Sequence, residues 1–177
     1  MSSSRSALSS WLYGPLTRFG LIVAALSLVA DQASKYWVLE SLDLENRGRV
    51  VVTPFMDFVL TWNRGISYGW LQQDTIAGMW LLLGFKIAAV VALWIWLARV
   101  DTRWSGLGIG LIIGGAAGNA IDRMVHGAVV DFVLLHLDTV NGRFNWYVFN
   151  IADVAIVAGV VALLYESLIG QRAVKAP

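Results

Sequence analysis

Apolar runs of about twenty residues alternate along this chain with polar stretches of unequal length. Four of the runs reach the length a helix needs to cross the hydrocarbon core of a bilayer. They cover about 19–39, 76–98, 106–122 and 148–169, the third being glycine-rich and close to the short limit. The polar stretches are short around Asp101 and long at about 40–75 and 123–147. This pattern predicts a single domain over 1–177, an all-α integral membrane protein with four transmembrane helices. Within 50–62, VVVTPFMDFVLTW, β-branched and aromatic residues around a Pro54 break predict a small β-sheet lying on the outer membrane surface. The first run is expected to stay as a span and not to be cleaved as a leader. Arg5 and Arg18 precede it, but no small-x-small site follows, and it ends in Asp31 and Lys35.

Positive charge gives the orientation. Arg5, Arg18, Arg99, Arg103, Arg172 and Lys175 all fall on one side of a four-span chain, which places both termini in the cytoplasm. Arg47, Arg49, Arg64, Arg123 and Arg143 lie on the other side, so the bias is present but modest. Composition agrees with the spans: 58% of the 177 residues are hydrophobic and the mean hydropathy is +0.66. Trp11, Trp37, Trp70, Trp80, Trp104 and Trp146 stand near the ends of apolar stretches, as an interfacial belt would have them. A net charge of +1 gives no reason to expect a nucleic-acid partner. With no cysteine, thiol nucleophiles and thiolate metal sites are excluded. Only His126 and His136 are available and HExxH is missing, so no metal and no cofactor is expected.

Charge inside apolar runs costs free energy and marks function by default. Asp31 and Lys35 are i and i+4 with the acid first, a favourable helical pair that reads as self-neutralising support. Lys86 lies mid-span without an evident partner. At the end of the third run, Gly115, Asn119 and Asp122 share a helix face, and Gly114, Gly118 and Asp122 step by four; small residues there admit a close neighbouring helix. Asn150 and Asp153 repeat the Asn-x-x-Asp spacing, which also fits a helix N-cap. Asp131 stands alone in Val129-Val130-Asp131-Phe132-Val133, either buried or on the wet face of a strand. In the four-span topology Asp122, Asp131 and Asp153 all reach the outer face. Two carboxylates held close share a proton, one serving as base and the other as acid, which is the chemistry of peptide hydrolysis. Spacing leaves open which two of the three pair.

Five blocks occur in order: DQASK (31–35), NRGISYGW (63–70), GGAAGNAIDR (114–123), VVDF (129–132) and FNIAD (149–153). Over about 18–170 the chain resembles the lipoprotein signal peptidases, or signal peptidase II. The resemblance implies an aspartic endopeptidase of the bacterial inner membrane with its active site near the periplasmic face. Such enzymes cut diacylglyceryl-modified prolipoproteins just before the lipobox cysteine, use no metal, sit among membrane lipids and are blocked by cyclic peptide inhibitors. It implies Asp131 and Asp153 as the catalytic pair and Asn63, Asn119, Arg123 and Asn150 as substrate-positioning residues. Asp122 becomes support, paired with Arg123 or near Lys35, alongside Asp31, Lys35, Gly115 and Gly118. The family's surface sheet and mobile outer segment correspond to 40–75. The gap from Asp131 to Asp153 is a few residues longer than the family's pattern, the excess lying near Asp138 to Gly142, where Asn141-Gly142 favours a tight turn.

A helix N-terminus favours charge on Asp153, and the apolar run around Asp131 favours a proton there. Two rival readings remain. Gly65-Ile66-Ser67-Tyr68-Gly69 matches GxSxG, with His126 or His136 as nominal base, though the strand–turn–helix context is missing. The outer carboxylates would also suit a proton- or ion-conducting membrane subunit, which needs acids reaching in from both faces; Asp101 and Glu166 lie at span ends.

Overall fold

Among the described residues, four long helices carry most of the four apolar runs, and a four-stranded antiparallel sheet joins their ends. The computed structural model describes residues 12–64, 76–140 and 142–174, with side chains except those of 76–83, 85, 86 and 169–174. Ser67 and its motif, Trp11, Trp70, Asn141 and Lys175, and the side chains of Trp80, Lys86 and Arg172, lie outside the described residues.

Helix α1 runs Thr17–Tyr36 and passes into a π-helical turn, Trp37–Ser41. A one-turn helix α2, Leu44–Arg47, leads into strands β1, Arg49–Thr53, and β2, Met56–Asn63. Helices α3, Ile76–Leu97, and α4, Arg103–His126, follow, then strands β3, Val129–Thr139, and β4, Gly142–Phe149, and finally helix α5, Ile151–Val174. Twenty residues at a rise of about 1.5 Å each give about 30 Å, the thickness of a bilayer core. Among the described residues, Arg103–His126 and Ile151–Leu168 are long and apolar enough to cross a membrane by length and composition.

The side-chain distribution inverts that of a water-soluble bundle. On α1 the buried stripe is Thr17, Gly20, Ala24, Ser27, Asp31 and Lys35, while Leu26 and Val29 are 65% and 63% exposed. On α5, Ala152, Ala155 and Ala162 are buried and Val157, Val161 and Leu164 face out. Small and polar groups inside with large apolar groups outside is the arrangement expected where the surroundings are lipid. Helix α4 lies in the middle, packed on α1, α3 and α5. Its glycines permit this: a Cβ on Gly115 would come within 2.5 Å of the Ala152 carbonyl oxygen on α5.

Helix α4 starts on a Thr102 cap, whose hydroxyl accepts from Ser105 N at 3.2 Å, and ends at Gly127 in the left-handed region, φ 71°. Only a residue tolerant of positive φ turns the chain there without strain, and β3 begins two residues later. The sheet order is β1-β2-β3-β4, so β2 and β3 bring together the two long polar stretches.

Two expectations need correction. The sheet is not confined to 50–62, because β3 and β4 supply half of it from 129–149. The fourth apolar run does not begin as helix at 148: Val148 and Phe149 pair with Leu134 and Val133 in the sheet, and α5 starts at Ile151. A short apolar stretch has no periodicity to separate a strand end from a first helical turn, and only the pairing partner decides.

Candidate active site

The start of α5 is the foundation of the site. Asn150 Oδ1 accepts from Asp153 N at 3.0 Å, and Asp153 Oδ2 accepts from Asn150 N at 3.2 Å. This reciprocal pair is a capping box, so the local reading of Asn150 and Asp153 as a helix cap is correct. It leaves Asp153 Oδ1 and the Asn150 amide nitrogen for other contacts. Asn119 Nδ2, on α4, donates to Asp153 Oδ1 at 3.0 Å. Asn150 Nδ2 donates to Asp131 Oδ1 at 2.6 Å and to Asn119 Oδ1 at 3.1 Å. Asn63 Nδ2, at the end of β2, donates to Asp131 Oδ2 at 3.0 Å. Asp131 is thus a strand residue turned inward, and it is 2% exposed.

Beneath the pair lies a second layer. Lys35 Nζ reaches Asp122 Oδ2 at 2.7 Å, Asp31 Oδ2 at 2.8 Å and Asn119 Oδ1 at 3.1 Å, three acceptors for three ammonium hydrogens. Asp31 Oδ1 accepts from Ala152 N at 2.9 Å, satisfying one of the orphan amides in the first turn of α5. Asp122 Oδ2 also accepts from Val130 N at 3.0 Å and so fixes the backbone beside Asp131. Asp31 and Lys35 are therefore not a self-contained pair. Asp122 pairs with Lys35 and not with Arg123, whose Nη1 donates instead to the Asn119 carbonyl at 2.9 Å, with Nε buried and unpartnered. The catalytic, substrate-positioning and supporting residues expected from the resemblance fall within or against this network, Gly115 through its approach to Ala152 on α5.

Sequence reasoning misses Gln32. Its Nε2 donates to Asp122 Oδ1 at 2.9 Å and to Asp31 Oδ2 and Gly118 O at 3.2 Å. The available signal is a second polar residue beside Asp31 within an apolar run. A Cβ on Gly118 would collide with Asp31 Oδ2. Gly118→Ala is therefore expected to displace Asp31 from Lys35 and lower the melting temperature by several degrees. Gly84→Ala, where a Cβ meets nothing within 4 Å, should change little. Thermal unfolding in detergent compares the two, and equal melting temperatures would refute the clash.

Burial pushes the Asp131 carboxyl up to about 6, and the nearby Asp153 charge adds to the rise. The amides of Asn63 and Asn150 and the more distant Lys35 charge oppose it without cancelling it. His136, the nominal base for Ser67, is engaged elsewhere: its Nε2 lies 3.0 Å from Asp57 Oδ2, and Arg143 stands against the same ring. Burial would raise Asp57, but Arg49 and His136 outweigh it and hold the carboxyl below its usual range.

Fold and site define a helical membrane protein that presents two amide-bridged carboxylates at one end of its bundle. Two solved structures of similar shape are described as bacterial membrane enzymes. One, determined by the in meso method, has a TM-score of 0.71 and 26% identity, covering 89% of this chain and 92% of its own; a second has a TM-score of 0.69, also at 26% identity, covering 85% and 92%. The chain belongs to the signal peptidase II family, whose model, described as Signal peptidase (SPase) II, matches residues 23–169. The lipoprotein signal peptidases of Nitrobacter hamburgensis and Rhodopseudomonas palustris strain TIE-1 are each 58% identical over 160 residues, 90% of this chain and 98% of theirs. That of Methylobacterium sp. strain 4-46 is 52% identical over 149 residues, 84% of this chain and 88% of its own. This is a bacterial membrane peptidase, and the reading as an ion-conducting subunit falls away.

Proposed function

We propose that the chain is an aspartic endopeptidase that removes the signal peptide from diacylglyceryl-modified prolipoproteins just before the lipobox cysteine, with Asp131 and Asp153 as the catalytic pair. The observation that carries this is the Asn150–Asn119 amide bridge, which ties carboxylates from a strand and a helix into one hydrogen-bonded unit. Each carboxylate oxygen has two lone pairs, so these amide contacts leave room for a water or a proton. Asp153, capping α5, takes the charged role and accepts a proton from the attacking water. Asp131 holds the other proton and donates it to the scissile carbonyl. Asn119 and Asn150 hold the pair's orientation. Asn63 and Arg123 border it, where they meet the substrate backbone. All four long helices cross the bacterial inner membrane, with both termini cytoplasmic and the carboxylates near the periplasmic face. Membrane lipids surround the helices, and cyclic peptide inhibitors of the family occupy the same pair.

The test is cleavage of a purified prolipoprotein with and without its diacylglyceryl group, with the cut mapped by mass spectrometry. Cleavage immediately before the modified cysteine supports the reading. Equal cleavage of the unmodified form, or a cut elsewhere, removes the substrate assignment.

The sign of the pH dependence follows from Asp131. With its carboxyl raised to about 6, the pair keeps its single proton below that value and loses it above. kcat/KM is therefore expected to fall as pH rises through about 6, and the limb should lie higher in kcat because bound substrate excludes water further. A rate that climbs through the same range would reverse the assignment of acid and base.

A further inference from the structure

Asp122 is buried and takes no part in the proton transfers, yet both of its oxygens are engaged. Oδ2 accepts from Lys35 Nζ at 2.7 Å and from Val130 N at 3.0 Å, and Oδ1 accepts from Gln32 Nε2 at 2.9 Å. The bond to Val130 stands in for a missing strand. The register of β4 on β3 starts with Phe149 opposite Val133, and β4 ends at Phe149, so 129–131 lie beyond its end. A buried backbone N–H in that stretch needs another acceptor, and the Asp122 side chain supplies it from α4. The residue anchored in this way directly precedes Asp131.

A carboxylate can turn about its Cβ–Cγ bond and exchange its oxygens. Lys35 does not decide which oxygen meets Val130, because an ammonium is a compact charge that either oxygen satisfies. Gln32 does decide it. Its planar amide has two hydrogens, and besides Asp122 Oδ1 it lies 3.2 Å from Asp31 Oδ2 on its own helix and 3.2 Å from Gly118 O on α4. An amide held by both helices cannot follow Asp122 if the carboxylate turns, so the turned state loses a bond.

We propose that Gln32 is a positioning residue for the peptidase reaction: by fixing Asp122 Oδ1 it keeps Oδ2 on Val130 N, and so holds the backbone of β3 where Asp131 meets the amides of Asn63 and Asn150. The hydrogen bonds of Gln32 Nε2 run to Asp122, Asp31 and Gly118 and reach Asp131 only through Asp122 and Val130. This rests on the reading of Asp131 as a member of the catalytic pair.

Gln32→Met keeps the length of the side chain and removes both donors. With the full chain in detergent and a diacylglyceryl-modified prolipoprotein, kcat should fall about tenfold while KM stays within about twofold, because alignment is lost and binding contacts are not. Asp122→Ala tests the route. If Gln32 acts through Asp122, adding Gln32→Met to Asp122→Ala should slow cleavage by no more than about twofold, whereas independent effects would multiply. Hydrogen exchange at the Val130 amide reads the same link without turnover. It should quicken about tenfold in Gln32→Met and stay unchanged in Gly108→Ala, a packing control whose Cβ would press on the Gly159 carbonyl in the seam between α4 and α5. Should Gln32→Met not fold, Gln32→Asn carries the same expectations, since it keeps an amide on α1 but is one methylene shorter than the reach to Asp122 requires. Unchanged exchange at Val130, a multiplied loss in the double variant, or a raised KM at normal kcat overturns the proposal, the last by making Gln32 a substrate contact. An active Asp131→Asn protein would remove the catalytic reading and leave the exchange result standing, so the two failures are distinguishable.

Discussion

Asp131→Asn is expected to abolish prolipoprotein cleavage while leaving the protein folded. The substitution preserves shape and removes the one group whose proton the chemistry uses. Loss of a positioned acid or base costs roughly 10²–10⁴-fold, and kcat and kcat/KM should fall together, because the interaction is made in the transition state. Folding should survive for an electrostatic reason. A carboxyl whose value is raised to about 6 in the folded protein contributes stability only while protonated, and that contribution is lost as pH rises through about 6. At neutral pH the buried carboxylate is a burden of at most roughly 3 kcal/mol, which an amide relieves. An amide at 131 must still face two amide donors, Asn63 and Asn150, and one of them has to turn; this offsets part of the gain. Cleavage by mass spectrometry and unfolding in the same detergent measure both consequences. A folded variant that cuts at a near-normal rate would make Asp131 structural and return Asp122 to candidacy.

The largest loss of stability is expected from Lys35→Met. Methionine fills similar space, but Asp31 and Asp122 would remain buried with no cation between them, and Asn119 would lose one of the two donors that orient its amide. Removing one partner of a buried ion pair costs about 3–5 kcal/mol. For a chain of this size that corresponds to a melting temperature lower by about 10 °C. Adding Asp31→Asn and Asp122→Asn should recover part of the stability, because the stranded charges are gone and the amide oxygen introduced at position 31 still accepts from Ala152 N. Activity should stay low in the triple variant, since only Asn150 Nδ2 is then left to hold the Asn119 oxygen away from Asp153. A Lys35→Met protein with unchanged melting temperature would mean that the ammonium is not the centre of the network.

What the sequence determined by itself was whatever is local. An apolar run of span length is a property of consecutive residues, and each of the four runs lies largely within one helix, α1, α3, α4 or α5, the fourth after its first residues have paired in the sheet. The Asn150–Asp153 capping box is set by an i,i+3 spacing. The pairing of Asp31 with Lys35 is set by i,i+4. The five ordered blocks carried the family likeness, and with it the residues that now meet in one network. What only the tertiary structure decided was how those residues share their hydrogen bonds. Lys35 and Asn119 are 84 positions apart, and Asp31 and Ala152 are 121 apart. No periodicity encodes such contacts, because they exist only once α4 packs against both α1 and α5. The pairing of 129–139 and 142–149 was hidden for the same reason, since a strand is completed by its partners: β3 needs 56–63 on one side and β4 on the other. Whether Asp131 faces water or the helix ends was likewise undetermined along the chain, and it was settled by the pairing of Thr61 with Asp131, which turns every second residue of β3 inward.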